Sequence, residues 1–168
     1  MQTAGRLEVT TPSDLEIAMS REFDAPRELL WDAYTNPALV SRWLLGPDGW
    51  TFRQCDMDVR VGGTYRWVWW KEKTQTAMGT GGTYREVQRP DRLVHTEKFD
   101  EPWASGGGES VVTVTFTERN GKTTMLMTQR FESREVRDAV LKTGMETGVE
   151  RSYQRLDEML PELLQAKR

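Results

Sequence analysis

What most restricts the fold of this 168-residue chain is the order in which its patterns change. Short helical patterns come first, strand-and-turn patterns occupy 50–131, and one long helical pattern runs from 133 to the end. A strand meander leaves one face of its sheet to be covered, so a long helix arriving last must lie across that face. The expected architecture is α+β, a curved antiparallel sheet wrapped around a long C-terminal helix, with two short helices after the first strand. Where such a sheet curls further than the helix fills, a cavity remains, and cavities of this kind are mostly apolar with a few convergent polar groups. The pattern therefore points to binding before it points to chemistry.

Residues 1–13 read as an N-terminal tail or short strand, and 14–165 as one domain, the size of a single substantial core. Leu15, Ile17, Met19, Arg21 and Phe23 share one parity, which predicts the first main strand over 15–23. Asp24-Ala25-Pro26 supplies a capping acceptor and a first-turn proline, and Leu29, Leu30, Ala33 and Tyr34 then recur at helical spacing. Asn36-Pro37 ends that helix and begins a second, which Gly46-Pro47 stops.

From Trp50 the period becomes two, with strands expected over 50–61, 64–71, 78–87, 92–99, 110–118 and 123–131. Asn120-Gly121 between the last two is the strongest short hairpin signal. Gly-Gly-Thr-Tyr-Arg occurs at 62–66 and again at 81–85, which suggests two similar strand beginnings. Ser133 can cap a helix running to the end through Val140, Met145, Val149, Leu156 and Leu160. Gly144 and Gly148 weaken that helix but allow a close neighbour, and Pro161 should end or kink it.

Composition narrows the function classes. With 23 Lys+Arg against 26 Asp+Glu, net charge −3, the chain has no long-range attraction for phosphate backbones or anionic lipid, so neither nucleic acid nor membrane is an expected partner. The single cysteine, Cys55, rules out an internal disulfide framework. With no apolar run near 18 residues and no secretory layout at the start, the expectation is a cytoplasmic protein.

Several groups of residues resemble a known family. Phe23-Asp24-Ala25-Pro26-Arg27-Glu28-Leu29, Trp31-Asp32-Ala33, Thr35-Asn36-Pro37 and Arg42-Trp43 resemble the opening motif of the activator of heat-shock protein 90 ATPase homologue family. Asp58-Val59-Arg60-Val61-Gly62-Gly63, Tyr84-Arg85-Glu86-Val87 and Arg92-Leu93-Val94 look like its middle motifs, and Ser152 and Leu156 fit its last helix. The resemblance spans roughly 14–160 and implies a START-like (SRPBCC) helix-grip fold with a deep cavity; superfamily relatives bind lipids, hormones and polyketides, and some are cyclases or hydroxylase subunits. Val149 stands where many family members carry tryptophan, which implies a roomier cavity. Val61 replaces a common proline at a strand end. The eukaryotic co-chaperones of the family act with an additional N-terminal domain that these 168 residues do not hold.

Few residues invite a chemical reading. His95 is the only histidine, so any imidazole-rich metal site or histidine triad must pass through it, and Cys55 with His95 has no finger-like ligand spacing. No cofactor or metal is expected. His95 and Glu97 share one strand face; inside an apolar cavity Glu97 would have a raised pKa and become a general acid or a ligand anchor, whereas at a sheet edge the two are a polar strip. Asn120-Gly121-Lys122-Thr123 copies the end of a phosphate loop but has Phe116 where a glycine is needed and joins two strands. Tyr65, Trp67 and Trp69 share a face, as core or cavity wall.

The leading reading is binding of a small, mostly apolar molecule between sheet and helix. Its expected wall is Tyr65, Trp67, Trp69, His95, Glu97, Met127, Met145 and Val149, with Trp43 and Trp103 at the entrance. The alternatives are a co-chaperone-like interaction module with a chaperone or other protein partner, and a cyclase- or hydrolase-like enzyme using His95 and Glu97. The sequence leaves room for a homodimer.

Overall fold

The computed structural model describes residues 5–105 and 108–167. Among them, β1 (Glu8–Thr10), β2 (Glu16–Phe23), β3 (Trp50–Met57), β4 (Thr64–Lys71), β5 (Thr76–Gln88), β6 (Arg92–Phe99), β7 (Ser110–Arg119) and β8 (Lys122–Arg130) form one sheet in the order β1-β2-β8-β7-β6-β5-β4-β3. Every neighbouring pair is antiparallel. Strands β3 to β8 follow one another as a meander, and β2 returns to lie beside β8, with Glu16 opposite Arg130 and Phe23 opposite Thr123. Helices α1 (Arg27–Thr35) and α2 (Pro37–Trp43) link β2 to β3, α3 (Pro102–Ser105) follows β6, and α4 (Arg134–Leu141) and α5 (Met145–Ala166) follow β8. The curved sheet grips α5, the expected α+β helix-grip architecture.

The period-two pattern decides which side faces α5. Tyr65, Trp67 and Trp69 of β4, Leu93 and His95 of β6, Val112, Val114 and Phe116 of β7 and Met125 of β8 are buried on the same face as Phe23. Tyr153, Leu156, Met159 and Leu160 of α5 pack into this layer, with Tyr153 edge-on to Phe23 at 5.4 Å between ring centroids. Ile17, Met19, Phe131 and Val140 form a second cluster under α4. Arg21 enters the same layer and donates two hydrogen bonds to the Asp157 carboxylate, at 2.9 and 2.5 Å, tying β2 to α5.

Capping follows the sequence at Ser133, departs from it at Asp24, and adds a cap at Asn36. Asn36 Oδ1 accepts from Ala38 N at 3.0 Å, and Ser133 Oγ accepts from Val136 N at 3.2 Å. At the start of α1 the side chain of Asp24 makes no cap. Pro26 is the N-cap residue, and Glu118 of β7 instead accepts from Arg27 N at 2.9 Å, a partner 91 residues away.

The terminal helical pattern is two helices instead of one. Gly144 sits at φ +74, a left-handed conformation that costs glycine little and any other residue more, and the chain turns there between α4 and α5. Pro161 does not end α5, which runs on to Ala166. Buried Met159 and Leu160 hold the turn before it, and one missing N–H is a smaller loss than exposing them. The strand expected over 50–61 stops at Met57, because Arg60 N bonds back to Asp58 O and Val61 is left exposed in the turn.

The repeated pentapeptide plays two different structural parts. Gly62-Gly63 is a turn between β3 and β4, whereas Gly81-Gly82 lies inside β5. A Cβ at Gly82 would overlap the Thr96 carbonyl oxygen of β6. That close approach accompanies a register irregularity between Tyr84 and Glu86.

Candidate functional site

The sheet and α5 do not close on one another completely. A cavity of about 460 Å³ lies between them, bounded also by the segment 44–47 after α2 and by the turn at Gly144. Gly148 shapes this boundary: its missing side chain lets Pro47 approach, since a Cβ there would stand 3.0 Å from Pro47 Cδ. Gly46 is held in turn by Ser152 Oγ, which accepts from Gly46 N at 2.9 Å, and by Arg155, which donates to Gly46 O at 2.7 Å.

Most of the expected wall meets in this cavity. Trp67 and Trp69 from β4, Glu97 from β6, Met127 from β8, and Met145 and Val149 from α5 all line it. Trp103 also lines it while being 58% exposed, at the rim on α3. Trp43 lines it but is not an entrance residue: it is fully buried, and its indole N–H donates to Ala33 O at 2.9 Å. The bond and the packing of Tyr34 and Tyr153 around it, at 5.9 and 6.0 Å, make it a fixed part of the floor.

Tyr65 and His95 lie behind the wall instead of in it. The irregularity beside Gly82 turns the Thr96 carbonyl to a point where the Tyr65 hydroxyl donates to it at 2.7 Å and His95 Nδ1 approaches it at 3.0 Å. A carbonyl only accepts, so Nδ1 carries the imidazole proton and Nε2 is a bare acceptor, which finds no partner among the described residues. Burial pushes the imidazole down to about 4, against a smaller opposing effect of the Thr96 bond, so His95 is neutral over most of the pH range. Trp67 Nε1–H is likewise buried without an acceptor among the described residues. His95 and Glu97 therefore do not present an acid/base pair to the cavity.

Glu97 is the polar centre of the wall. Gln129 Nε2 donates to its Oε1 at 2.8 Å and to Ser110 Oγ at 2.7 Å, joining β6, β7 and β8 in one small network. Burial pushes the carboxyl up to about 7, and the Gln129 bond only partly offsets this. The nearby phenols of Tyr34 and Tyr65 are pushed above their ordinary range, chiefly by their own burial.

Gln129 and Ser110 were readable in part. Gln129 continues the parity of Met125 and Met127, so a polar residue on a buried face was visible in the sequence. That it serves Glu97 was not. Tyr34, Phe99 and Tyr153, and the segment 44–47, complete the wall without any sequence signal separating cavity from core. Among the described residues no three His, Cys, Asp or Glu side chains gather as metal ligands, and no helix is long and apolar enough to cross a membrane.

A curved antiparallel sheet gripping its C-terminal helix over a lined cavity defines a START-like protein. The family model described as activator of Hsp90 ATPase homolog 1-like protein matches residues 24–161, and the chain belongs to that family. A crystal structure of a protein from Rhodobacter sphaeroides is 32% identical, with TM-score 0.86, covering 94% of this chain and 99% of that one. The fold is shared with a Chromobacterium violaceum protein at 23% identity and TM-score 0.76, covering 88% and 98% of the two chains. It is shared too with the AHSA1-like protein from Aeromonas hydrophila at 20% identity and TM-score 0.65, covering 84% and 92%. No functionally curated protein matches the sequence.

Proposed function

We propose that this protein binds a small, mostly apolar molecule in the cavity between sheet and α5, with Glu97 as the group that orients it. The observation that carries the reading is the composition of the wall: aromatic rings and thioethers surround one carboxyl held by Gln129. Its volume, about 460 Å³, falls in the range of small-molecule sites. Trp67, Trp69, Met127, Met145 and Val149 supply the apolar contact, Trp43 the floor and Trp103 the rim. Tyr65 acts from behind, its hydroxyl tying β4 to the Thr96 carbonyl of β6, and His95 packs edge-on to the Tyr65 ring.

Family membership brings a second reading, a co-chaperone-like interaction with a protein partner. Stimulation of a heat-shock protein 90 ATPase tests it. The exposed large apolar side chains among the described residues, Val9, Val61, Trp103 and Leu126, lie on four separate segments, which favours the cavity over the outer surface.

The direct test is titration with Nile red, a neutral apolar dye, followed by native mass spectrometry of protein purified gently from its host. A saturable one-to-one complex that Val149→Trp weakens supports the cavity. Dye uptake that never saturates, or that ignores Val149→Trp in a folded variant, removes it.

A further inference from the structure

Resting on the cavity reading, we infer that the guest is an organic monocation, an apolar body carrying a primary or secondary ammonium group that seats against Glu97. Among the described residues that line the cavity, Glu97 is the one Asp, Glu, Lys, Arg or His. An anionic guest such as a fatty carboxylate would bring a second negative charge to this carboxyl with no Arg or Lys in the wall to receive it.

The carboxyl is also set up to receive a donor. Oε1 is taken by Gln129, no hydrogen bond to Oε2 is found among the described residues, and Glu97 is only partly buried where it lines the cavity. Gln129 donates to both Glu97 and Ser110, so its amide nitrogen is committed. Donors to Oε2 must come with the guest. An ammonium offers two or three N–H groups and a full charge, and charge-assisted hydrogen bonds of this kind are about twice as strong as neutral ones.

The surrounding rings add to the preference. Tyr34, Trp43, Trp67, Trp69, Phe99 and Tyr153 line the same cavity, and aromatic faces attract a desolvated cation. Burial disfavours the ionised carboxyl when the site is empty, and an ammonium beside it restores the charged form. The N-terminal end of α5 also reaches the wall and favours negative charge, but Glu146 already stands in its first turn.

The experiment is calorimetric titration of the full chain at pH 8 with three guests sharing one body: decylammonium chloride, decan-1-ol and sodium decanoate. Decylammonium is expected to bind about tenfold or more tighter than decanol, and decanoate weaker than decanol. In Glu97→Gln, which keeps the acceptor for Gln129, the ratio of decylammonium to decanol affinity should fall below about threefold. Decanol binding as tightly as decylammonium overturns the cation and leaves cavity binding standing. An ammonium advantage that survives Glu97→Gln overturns the seat at Glu97. Failure of all three guests to bind overturns the cavity reading, and the cation with it.

Discussion

Replacing Glu97 by glutamine should make this protein more stable, and increasingly so as the pH rises. The ordinary value of a glutamate carboxyl, 4.5, is pushed up to about 7 by burial at this position. Below 4.5 the group is protonated in the folded and unfolded chains alike and contributes nothing to the pH dependence. Between 4.5 and 7 the unfolded chain ionises while the folded chain holds its proton, so stability falls as pH rises. Above 7 both are ionised and the whole penalty is present. Each tenfold difference in proton affinity is worth about 1.4 kcal/mol, which puts the penalty at up to about 3 kcal/mol at pH 8; water reaching Oε2 from the cavity lowers it. Glutamine has nearly the same shape, is neutral at every pH, and still offers Gln129 Nε2 a carbonyl in place of the 2.8 Å carboxylate bond. Urea unfolding should find the variant more stable by under about 1 kcal/mol at pH 5 and by about 2 to 3 kcal/mol at pH 8. Equal differences at both pH values would refute the claim that burial holds this carboxyl in its neutral form.

His95 is held below its ordinary 6.5, at about 4, so its contribution is complete above 6.5 and is lost as pH falls towards 4; His95→Gln should flatten that acid loss in fluorescence-monitored unfolding. Gly144→Ala places a Cβ in open space but at φ +74, so it should cost about 1 kcal/mol in a thermal melt, from backbone strain alone. Gly82→Ala must displace the Thr96 carbonyl that holds Tyr65 and His95, and should cost several times more or abolish folding, read by circular dichroism. Asp157→Ala leaves Arg21, only 3% exposed, with Glu150 at 3.7 Å as its remaining partner, and should destabilise by about 3 kcal/mol in urea unfolding.

The layered fold was written in the sequence because it depends on period. Alternation in β4, β6, β7 and β8 assigns one face inward, and the helical spacing of Leu156, Met159 and Leu160 assigns one stripe to meet it; both are local consequences of how side chains leave the backbone. The same regularity put Trp67, Trp69, Glu97 and Met127 among the expected wall residues, and made Ser133 legible as a cap.

Tertiary structure decided the rest, through contacts between residues far apart in the chain. Whether an inward residue borders space or other atoms depends on where the facing layer stands, so Glu97 opens on the cavity while His95, two positions away on the same face, is sealed behind it. The close approach of Gly82 to Thr96, whose carbonyl receives Tyr65, joins two strands and has no counterpart in either strand read alone. Glu118 capping α1 from 91 residues away, and Pro47 settling against Gly148, are decisions of the same kind. Periodicity fixes a direction for each side chain; only the assembled layers fix what lies in that direction.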